Sequence, residues 1–384
     1  MQNTSVLISG ASVGGPALAH WLVRYGFTVT VVEKAPVLRL GGQAVDFKGE
    51  THLSVLARMG ILDDVRRLQT GGTDQEIVDE DGRTLAVMPG EFSGGDLEIS
   101  RGDLSRLLYD RTSAECEYVF GDSITSLTET ATGVHVTFER SAPRTFDLVV
   151  GADGIHSNVR RLAFGPESRY VRHLGHHYAL VGVGDGLGAR AMMYNEPGRM
   201  VAVGGPSAFF VFASERLDYD RYDLQQQKDI LARVYAGMGW RTAAVMERVR
   251  TSDDVYLDAI ARVRIDRYSA GRVVLLGDAA YGNTLGGFGT GLAVVGAYVL
   301  AGELAAAGGE HRAAFARYEE QLSGYAKVAR SGNAGPFLAP ATRTRIRLRN
   351  LMFSSRFLLR TMLKLTDAFA TDIDLRDYAG VGPR

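Results

Sequence analysis

Apolar and polar positions at the start of the chain fall into a strand, turn, helix, strand pattern. Ser5–Ser9 (SVLIS) is a short apolar run that predicts a buried strand. A glycine-rich turn follows. From Pro16 to Tyr25, Ala17, Leu18, Trp21 and Leu22 recur on one side of a helix, with Gly26 at the expected C-cap. Phe27–Val32 (FTVTVV) is β-branched and apolar, a second buried strand. A helical crossover returns the chain in its original direction, so this unit predicts a parallel sheet. Two later runs repeat the first: Asp147–Val150 ends at Gly151, and Arg272–Leu276 ends at Gly277, each followed closely by an aspartate and a turn of small residues. Ligands of open α/β sheets lie outside the carboxyl ends of the strands, so the three turns are predicted to meet at one ligand.

Between these blocks the pattern changes. Residues 166–267 lack βα alternation and carry short runs such as Tyr178–Val183 and Phe209–Ala213, with a predicted helix over Leu224–Met238. They read as a mostly β domain inserted into the first, joined by a smaller excursion over 72–97. Gly182, Gly184, Gly186 and Gly188 alternate with no helix pattern after them, which suits a strand and turn rather than a phosphate loop. From Arg343 to Lys364 there are seven basic residues and no acidic one. Leu348, Leu351, Met352, Leu358, Leu359, Met362 and Phe369 recur there at helical spacing. This predicts an amphipathic helix docked across both domains with its arginines in water; a membrane-surface or partner-binding helix is the alternative. The expected fold class is α/β, with one nucleotide-binding domain (1–71, 98–165 and 268–330), an inserted mostly β domain (72–97 and 166–267) and a C-terminal helical segment (331–384).

Composition narrows the function. Lys and Arg total 43 against 44 Asp and Glu, for a net charge of -1, which argues against a broad nucleic-acid-binding face. Cys116 is the one cysteine, so neither an intrachain disulfide nor a cysteine-rich metal centre is available. No signal sequence is evident at the N-terminus, and no uninterrupted apolar run reaches the roughly 20 residues of a membrane span. These features lead us to expect a cytoplasmic protein, a monomer or homodimer.

The first motif is Gly10-Ala11-Ser12-Val13-Gly14-Gly15. Gly10 and Gly15 match the outer glycines of the dinucleotide fingerprint, and Ser12 stands where a bare backbone would let the pyrophosphate approach. A serine hydroxyl can hydrogen-bond a phosphate there, and the helix N-terminus offers free N–H groups. Glu33, with Lys34 after it, ends the second strand where an acid is wanted for ribose hydroxyls. A tight structural turn is the plainer reading of the glycines alone. The second motif, Gly151-Ala152-Asp153-Gly154-Ile155-His156-Ser157-Asn158-Val159-Arg160, delivers a carboxylate from an apolar strand and places Ser157 to cap a helix. Its plainer reading is an Asp153–Arg160 ion pair. The third is Gly277-Asp278-Ala279-Ala280, continuing through Gly286-Gly287-Phe288-Gly289-Thr290-Gly291 into an apolar helix over Leu292–Ala306.

The order and spacing of these three motifs resemble the class A FAD-dependent monooxygenases, over about 1–165 and 268–330. The resemblance implies FAD on Gly10, Ser12, Val13, Gly14, Gly15, Glu33 and Lys34. It further implies that Asp153 and Gly154 serve FAD and the nicotinamide cofactor. Asp278 would take flavin hydroxyls, and Gly287, Gly289, Thr290 and Gly291 would lie at the isoalloxazine edge. Arg101, in Ile99-Ser100-Arg101-Gly102-Asp103, resembles an arginine that reaches the flavin; a helix-start surface residue is the alternative. Gln43 and Asp46 lie in a loop resembling the one that flanks the isoalloxazine. Tyr281 and Asn283-Thr284-Leu285 depart from the usual histidine and proline, implying an unusual loop over the flavin edge. The implied reaction uses NADPH or NADH as a transient co-substrate and O2, through a flavin C4a-hydroperoxide, to oxygenate a small aromatic or polyketide-like molecule. The flavin supplies that chemistry, so no protein catalytic group is assigned. A flavin dehydrogenase or reductase, or a catalytically silent FAD-binding module, is the rival reading. A halogenase is disfavoured, because the only tryptophans are Trp21 and Trp240. His173, His176 and His177 lie close together, but no further ligands at metal-binding spacing accompany them.

Overall fold

The computed structural model describes residues 1–39, 41, 44–93, 95–287, 289–329, 332–354 and 373–381. A six-stranded sheet runs in the order Ser269–Ala270, Val273–Leu275, Leu148–Gly151, Ser5–Ser9, Thr28–Glu33, Glu117–Phe120. All neighbours in it are parallel except the two-residue edge strand. Ser5–Ser9 is interior, and Val6, Leu7 and Ile8 are fully buried, as a continuous apolar run requires in a sheet covered on both faces.

The helix Gly14–Arg24 packs against a second helix, Gly289–Ala306, which starts three residues earlier than its apolar run suggests. That helix is apolar all round and long enough to cross a membrane, yet most of it is buried inside this fold. Its glycines are notches: a Cβ at Gly302 would overlap the ring of Tyr378, and one at Gly296 the hydroxyl of Tyr281. Tyr281, in place of the expected histidine, therefore points into the core.

The second layer is a seven-stranded sheet in the order Val255–Val263, Val171–Gly182, Ser207–Ala213, Arg199–Gly204, Met192–Glu196, Gln75–Val78, Thr84–Met88. The excursion near residue 80 thus supplies the last two strands at one edge. One face buries Val181, Val201, Phe210 and Leu257 beneath the helices Leu224–Tyr235 and Thr242–Thr251. The predicted helix at 224 stops short of Met238, at Tyr235, whose hydroxyl donates to the carbonyls of Met200 (2.8 Å) and Val211 (3.0 Å). The opposite face holds Met193, Met200, Val211 and Ile260, with Tyr178, Phe209 and Leu285 packed against them. The glycines at 184–188 form a one-turn 3-10 helix over Gly184–Leu187 rather than a strand continuation.

The two layers share backbone. Val263 N–H donates to Gly282 (2.8 Å) and Thr284 N–H to Ala261 (2.9 Å), so the strand Val255–Val263 runs directly into the third motif.

The C-terminal segment corrects one expectation. The helix Arg343–Ser354 exposes Leu348 and Leu351 and buries Arg349, Asn350 and Phe353. Arg349 is not in water. Its guanidinium donates to the carbonyls of Phe337 (3.1 Å) and Leu338 (3.3 Å) and to Asn195 Oδ1 (2.8 Å). Those carbonyls close the short helix Gly335–Leu338 and have no other way to be satisfied within it. Residues Leu358, Leu359, Met362 and Phe369 lie outside the described residues. Residues 373–381 then dock on the other layer, where Tyr378 is fully buried and donates to Glu303 Oε1 (2.7 Å).

Arg349→Met keeps the packing stem but strands the Phe337 carbonyl and the Asn195 amide oxygen, while the Leu338 carbonyl keeps Asn195 Nδ2 (2.7 Å). It is expected to lower stability by about 1–3 kcal/mol. Urea unfolding checks the size, and hydrogen exchange should place the loosening in 343–354.

Candidate functional site

The parallel register sets Ser9 beside Gly151 and Gly151 beside Leu275, so the three motif turns leave the sheet next to one another. The first two are in backbone contact: Gly10 takes φ +110°, and a Cβ there would overlap the carbonyl of Ala152. Gly15 likewise sits against Gly10 O, too close for any side chain. The helix behind them begins at Gly14 with no side-chain cap at Val13 and no acid in its first turn. Its free N–H groups and positive dipole end therefore face out of the turn un-neutralised, which suits an anion. Ser12 is half-buried on this turn. Glu33 accepts from Ala11 N–H (2.9 Å) and Ala35 N–H (2.8 Å), buckling the turn to the end of the second strand. Lys34 reaches Tyr222 of the other layer, Nζ to hydroxyl 3.1 Å, and lies over its ring.

Asp153 and Arg160 do not pair, contrary to the plainer reading of the second motif. Asp153 accepts from the backbone N–H groups of Asn158 (2.9 Å) and Val159 (3.0 Å), and from the Ser157 hydroxyl. Its carboxylate thus serves the start of the helix Asn158–Phe164, where Ser157 also accepts from Arg160 N–H. Burial pushes the Asp153 carboxyl up against these bonds. Beside it Gly154, at φ +80°, leaves open space. Arg160 is fully buried and donates to Ala279 O (2.9 Å) and Ile155 O (2.6 Å). It thereby ties the second motif to the third.

Asp278 differs from Asp153. Its side chain is solvent-accessible, and no hydrogen bond to its carboxylate occurs among the described residues. Yet protein surrounds it closely enough that burial pushes its carboxyl up, opposed by the charge of Arg101. A carboxylate that is both ringed by protein and open to solvent stands at the floor of a cleft, ready to accept from hydroxyls. Arg101 opens the helix Arg101–Asp110, and its buried Nε finds no partner among the described residues. Gly287, at φ +74°, borders open space, and Gly289, Thr290 and Gly291 form the first turn of the long apolar helix. Gly291 abuts the ring of His52, which leaves no room for a Cβ.

Asp46 lies on the strand Ala44–Phe47 and accepts from Gly95 N–H (3.1 Å). Burial pushes its carboxyl up to about 6, with the Gly95 bond opposing and Glu98 adding to the rise. Gln43 lies outside the described residues. No group of three or more His, Cys, Asp or Glu among the described residues is placed to hold a metal ion.

A further cluster joins the layers beside the second motif. His156 Nε2 meets both oxygens of Asp258 (3.0 and 3.1 Å), and its Nδ1 meets Glu167 (3.0 Å). Burial alone would lower the His156 pKa, but these two carboxylates overcome it and raise it to about 9. Tyr256 donates to Asp258 Oδ2 (2.8 Å). His156 stands inside the second motif, yet nothing local in the sequence points to a partner 102 residues away.

The arrangement has parallels among known proteins. Residues 3–327 match the family model described as an FAD binding domain. The chain is 42% identical over 336 residues to an uncharacterised protein of Mycobacterium tuberculosis, covering 84% of this chain and 90% of that one. It is 36% identical over 338 residues to a flavin-dependent monooxygenase of Legionella longbeachae, covering 84% and 86%. Among solved structures it is similar to the tetracycline destructase Tet(51), with a TM-score of 0.82 and 28% identity over 98% of this chain and 100% of that one.

Two outcomes follow from the geometry. Asp278→Ala should strip the cleft floor of its acceptor and weaken FAD retention about tenfold or more, the scale of a lost charge-assisted hydrogen bond. Flavin absorbance after gel filtration, and a titration of the apoprotein, measure it. Second, a histidine whose pKa is raised on folding adds stability below its ordinary value and loses it as pH climbs through the folded value. The gap between wild type and His156→Gln in urea should be on the order of 2–3 kcal/mol at pH 6 and shrink as pH rises from 6.5 through about 9. A gap that does not change with pH would refute the ion triad.

Proposed function

The chain belongs to the FAD-binding family of flavin-dependent monooxygenases, and from that premise we propose that it transfers one oxygen atom from O2 to an aromatic or polyketide-like molecule, with NADPH or NADH as a transient reductant. The observation that carries this reading is the apolar face of the seven-stranded sheet. Met193, Met200, Val211 and Ile260 are buried there with Phe209 against them, and Leu285 of the third motif packs onto the same cluster. Aromatic rings cover one side: Phe92 lies 5.4 Å from Phe337 and 5.0 Å from Phe353, centroid to centroid. A ligand that meets this face meets apolar and aromatic side chains, which suits a large, flat, mostly apolar molecule. Likeness to a tetracycline destructase, named for a polyketide, supports the same class.

In this reading Gly10, Ser12, Val13, Gly14 and Gly15 receive the FAD pyrophosphate at the uncapped helix end. Glu33 and Lys34 serve the adenosine ribose, and Asp278 accepts from the flavin chain hydroxyls. Arg101, Gly154, Gly287, Gly289, Thr290 and Gly291 surround the ring system. Gln43 and Asp46 border the substrate. Asp153 acts indirectly, by holding the helix that fixes Gly154 and Arg160. Residues 1–71, 98–165 and 268–330 make the cofactor domain, and 72–97 with 166–267 the substrate domain.

Bound FAD supplies the redox and oxygen chemistry. The chain's own residues orient, shield and tune. The first turn of the helix Gly289–Ala306 directs N–H groups toward developing negative charge. The phenylalanines and methionines of that face exclude water. Asp46, with its carboxyl near 6, holds or releases a proton around neutral pH at the border of cofactor and substrate.

The test is a panel of aromatic polyketides. At least one should accelerate NADPH or NADH consumption and gain a single oxygen by mass, with the label following 18O2. Reductant consumption without a mass gain in any compound would overturn the oxygenase reading in favour of a reductase.

A further inference from the structure

Behind the turn Gly289–Gly291 stands a buried imidazole. His52 lies on the helix Gly49–Arg58 with 2% exposure. Its ring rests on the bare face of Gly291, where any Cβ would collide with it. The two ring nitrogens have different tasks. Lys48 N–H donates to Nδ1 (3.0 Å), as a side chain in a first turn can reach back to the helix start. A nitrogen that accepts there carries no hydrogen, so Nε2 carries it and donates to the Tyr325 hydroxyl oxygen (2.9 Å). Phe47 meets the ring edge-on, with centroids 6.2 Å apart.

These contacts join three elements of the cofactor layer. Lys48 follows the strand Ala44–Phe47, which carries Asp46. Gly291 belongs to the first turn of the helix Gly289–Ala306, and Tyr325 to the helix His311–Ala329 packed along it. The helix that carries His52 is fastened as well: Ile373 N–H donates to Thr51 Oγ1 (3.0 Å). The imidazole is thus fixed at both nitrogens and on a fixed support. A turn with glycine at 289 and 291 has no side chains there to hold its shape, so the direction of its N–H groups depends on what packs behind it.

We propose that His52 is a positioning residue: by backing Gly291 it aims the N–H groups of this turn at the flavin and so raises the flavin's reduction potential. The proposal rests on the cofactor reading above, which sets the turn at the isoalloxazine edge. Donors held in place before charge develops stabilise the negative charge of the reduced ring better than donors that must first reorganise. Loosening the turn therefore makes FAD harder to reduce. It leaves the hold on the nucleotide largely intact, because the pyrophosphate is received at the first motif instead.

The test measures the midpoint potential of the FAD-loaded full chain against a reference dye, beside FAD content and the urea midpoint. His52→Asn keeps an oxygen where Nδ1 accepts, so the helix start survives, but it is too short to back Gly291 or reach Tyr325. It should fold and keep FAD, yet shift the two-electron reduction about tenfold toward oxidised flavin, or about 30 mV more negative. His52→Gln carries an amide nitrogen out to the place of Nε2 and should recover most of that shift. A wild-type potential in His52→Asn, no recovery in His52→Gln, or a His52→Asn chain that does not fold overturns the proposal; in the last case the ring holds the fold rather than aims the turn. Gly289→Ala tests the underlying reading separately. A methyl there meets Asp278 Oδ1 at 3.5 Å, an ordinary contact, so the chain accommodates it while it enters the space assigned to the cofactor. It should lower FAD content or alter flavin absorbance. If it does so while His52→Asn keeps the wild-type potential, the cofactor reading stands and only the proposal falls. If Gly289→Ala leaves flavin content and absorbance unchanged, the reading of the turn falls and takes the proposal with it.

Discussion

A buried guanidinium holds the cofactor pocket in register. Arg160 has no solvent exposure, and its two carbonyl partners belong to different motifs, Ile155 to the second and Ala279 to the third. Burial works against its charge, and a core that keeps such a cation must need what it joins. The first motif is fixed to the second by different means, through glycine backbone pressed against the carbonyl of Ala152. One fastening is electrostatic and the other steric. Together they join the tips of three distant strands into a single surface that carries both an uncapped helix end and an open carboxylate.

The substrate side is tied to that surface at two places. The strand Val255–Val263 bonds directly to residues 282 and 284, and His156 clamps Asp258 to the turn of the second motif. The same strand carries Asp258, the partner of His156, so one element of the seven-stranded sheet is fastened to both the second and the third motif.

The cofactor side was legible in the sequence because its signals are local. A buried apolar strand, a glycine and an acid within a few residues suffice to name a nucleotide turn, and all three turns lie together as that pattern implies. What escaped is what depends on distance or on direction. Asp153 and Arg160 read as an ion pair seven residues apart, but each is committed to backbone: one to a helix start, the other to carbonyls. The helix at 343–354 reads as apolar on the side of Leu348 and Leu351, yet it buries Arg349, because the end of the helix Gly335–Leu338 beneath it presents carbonyls for the guanidinium. No periodicity encodes that choice. The Asp258 partner of His156 is equally silent until the sheet brings it into place.

Glu303 sits in the last turn of the most apolar helix, and its partners come from farther along the chain. Arg317 and Gln321 come from the next helix, while Arg376 and Tyr378 come from the last ten residues of the chain. The slot at Gly302 is likewise filled only by Tyr378. Residues 376–378 thus act as a latch: without them the helix would keep a half-satisfied carboxylate beside an empty slot, and a greasy flank of the cofactor layer would lie open to water.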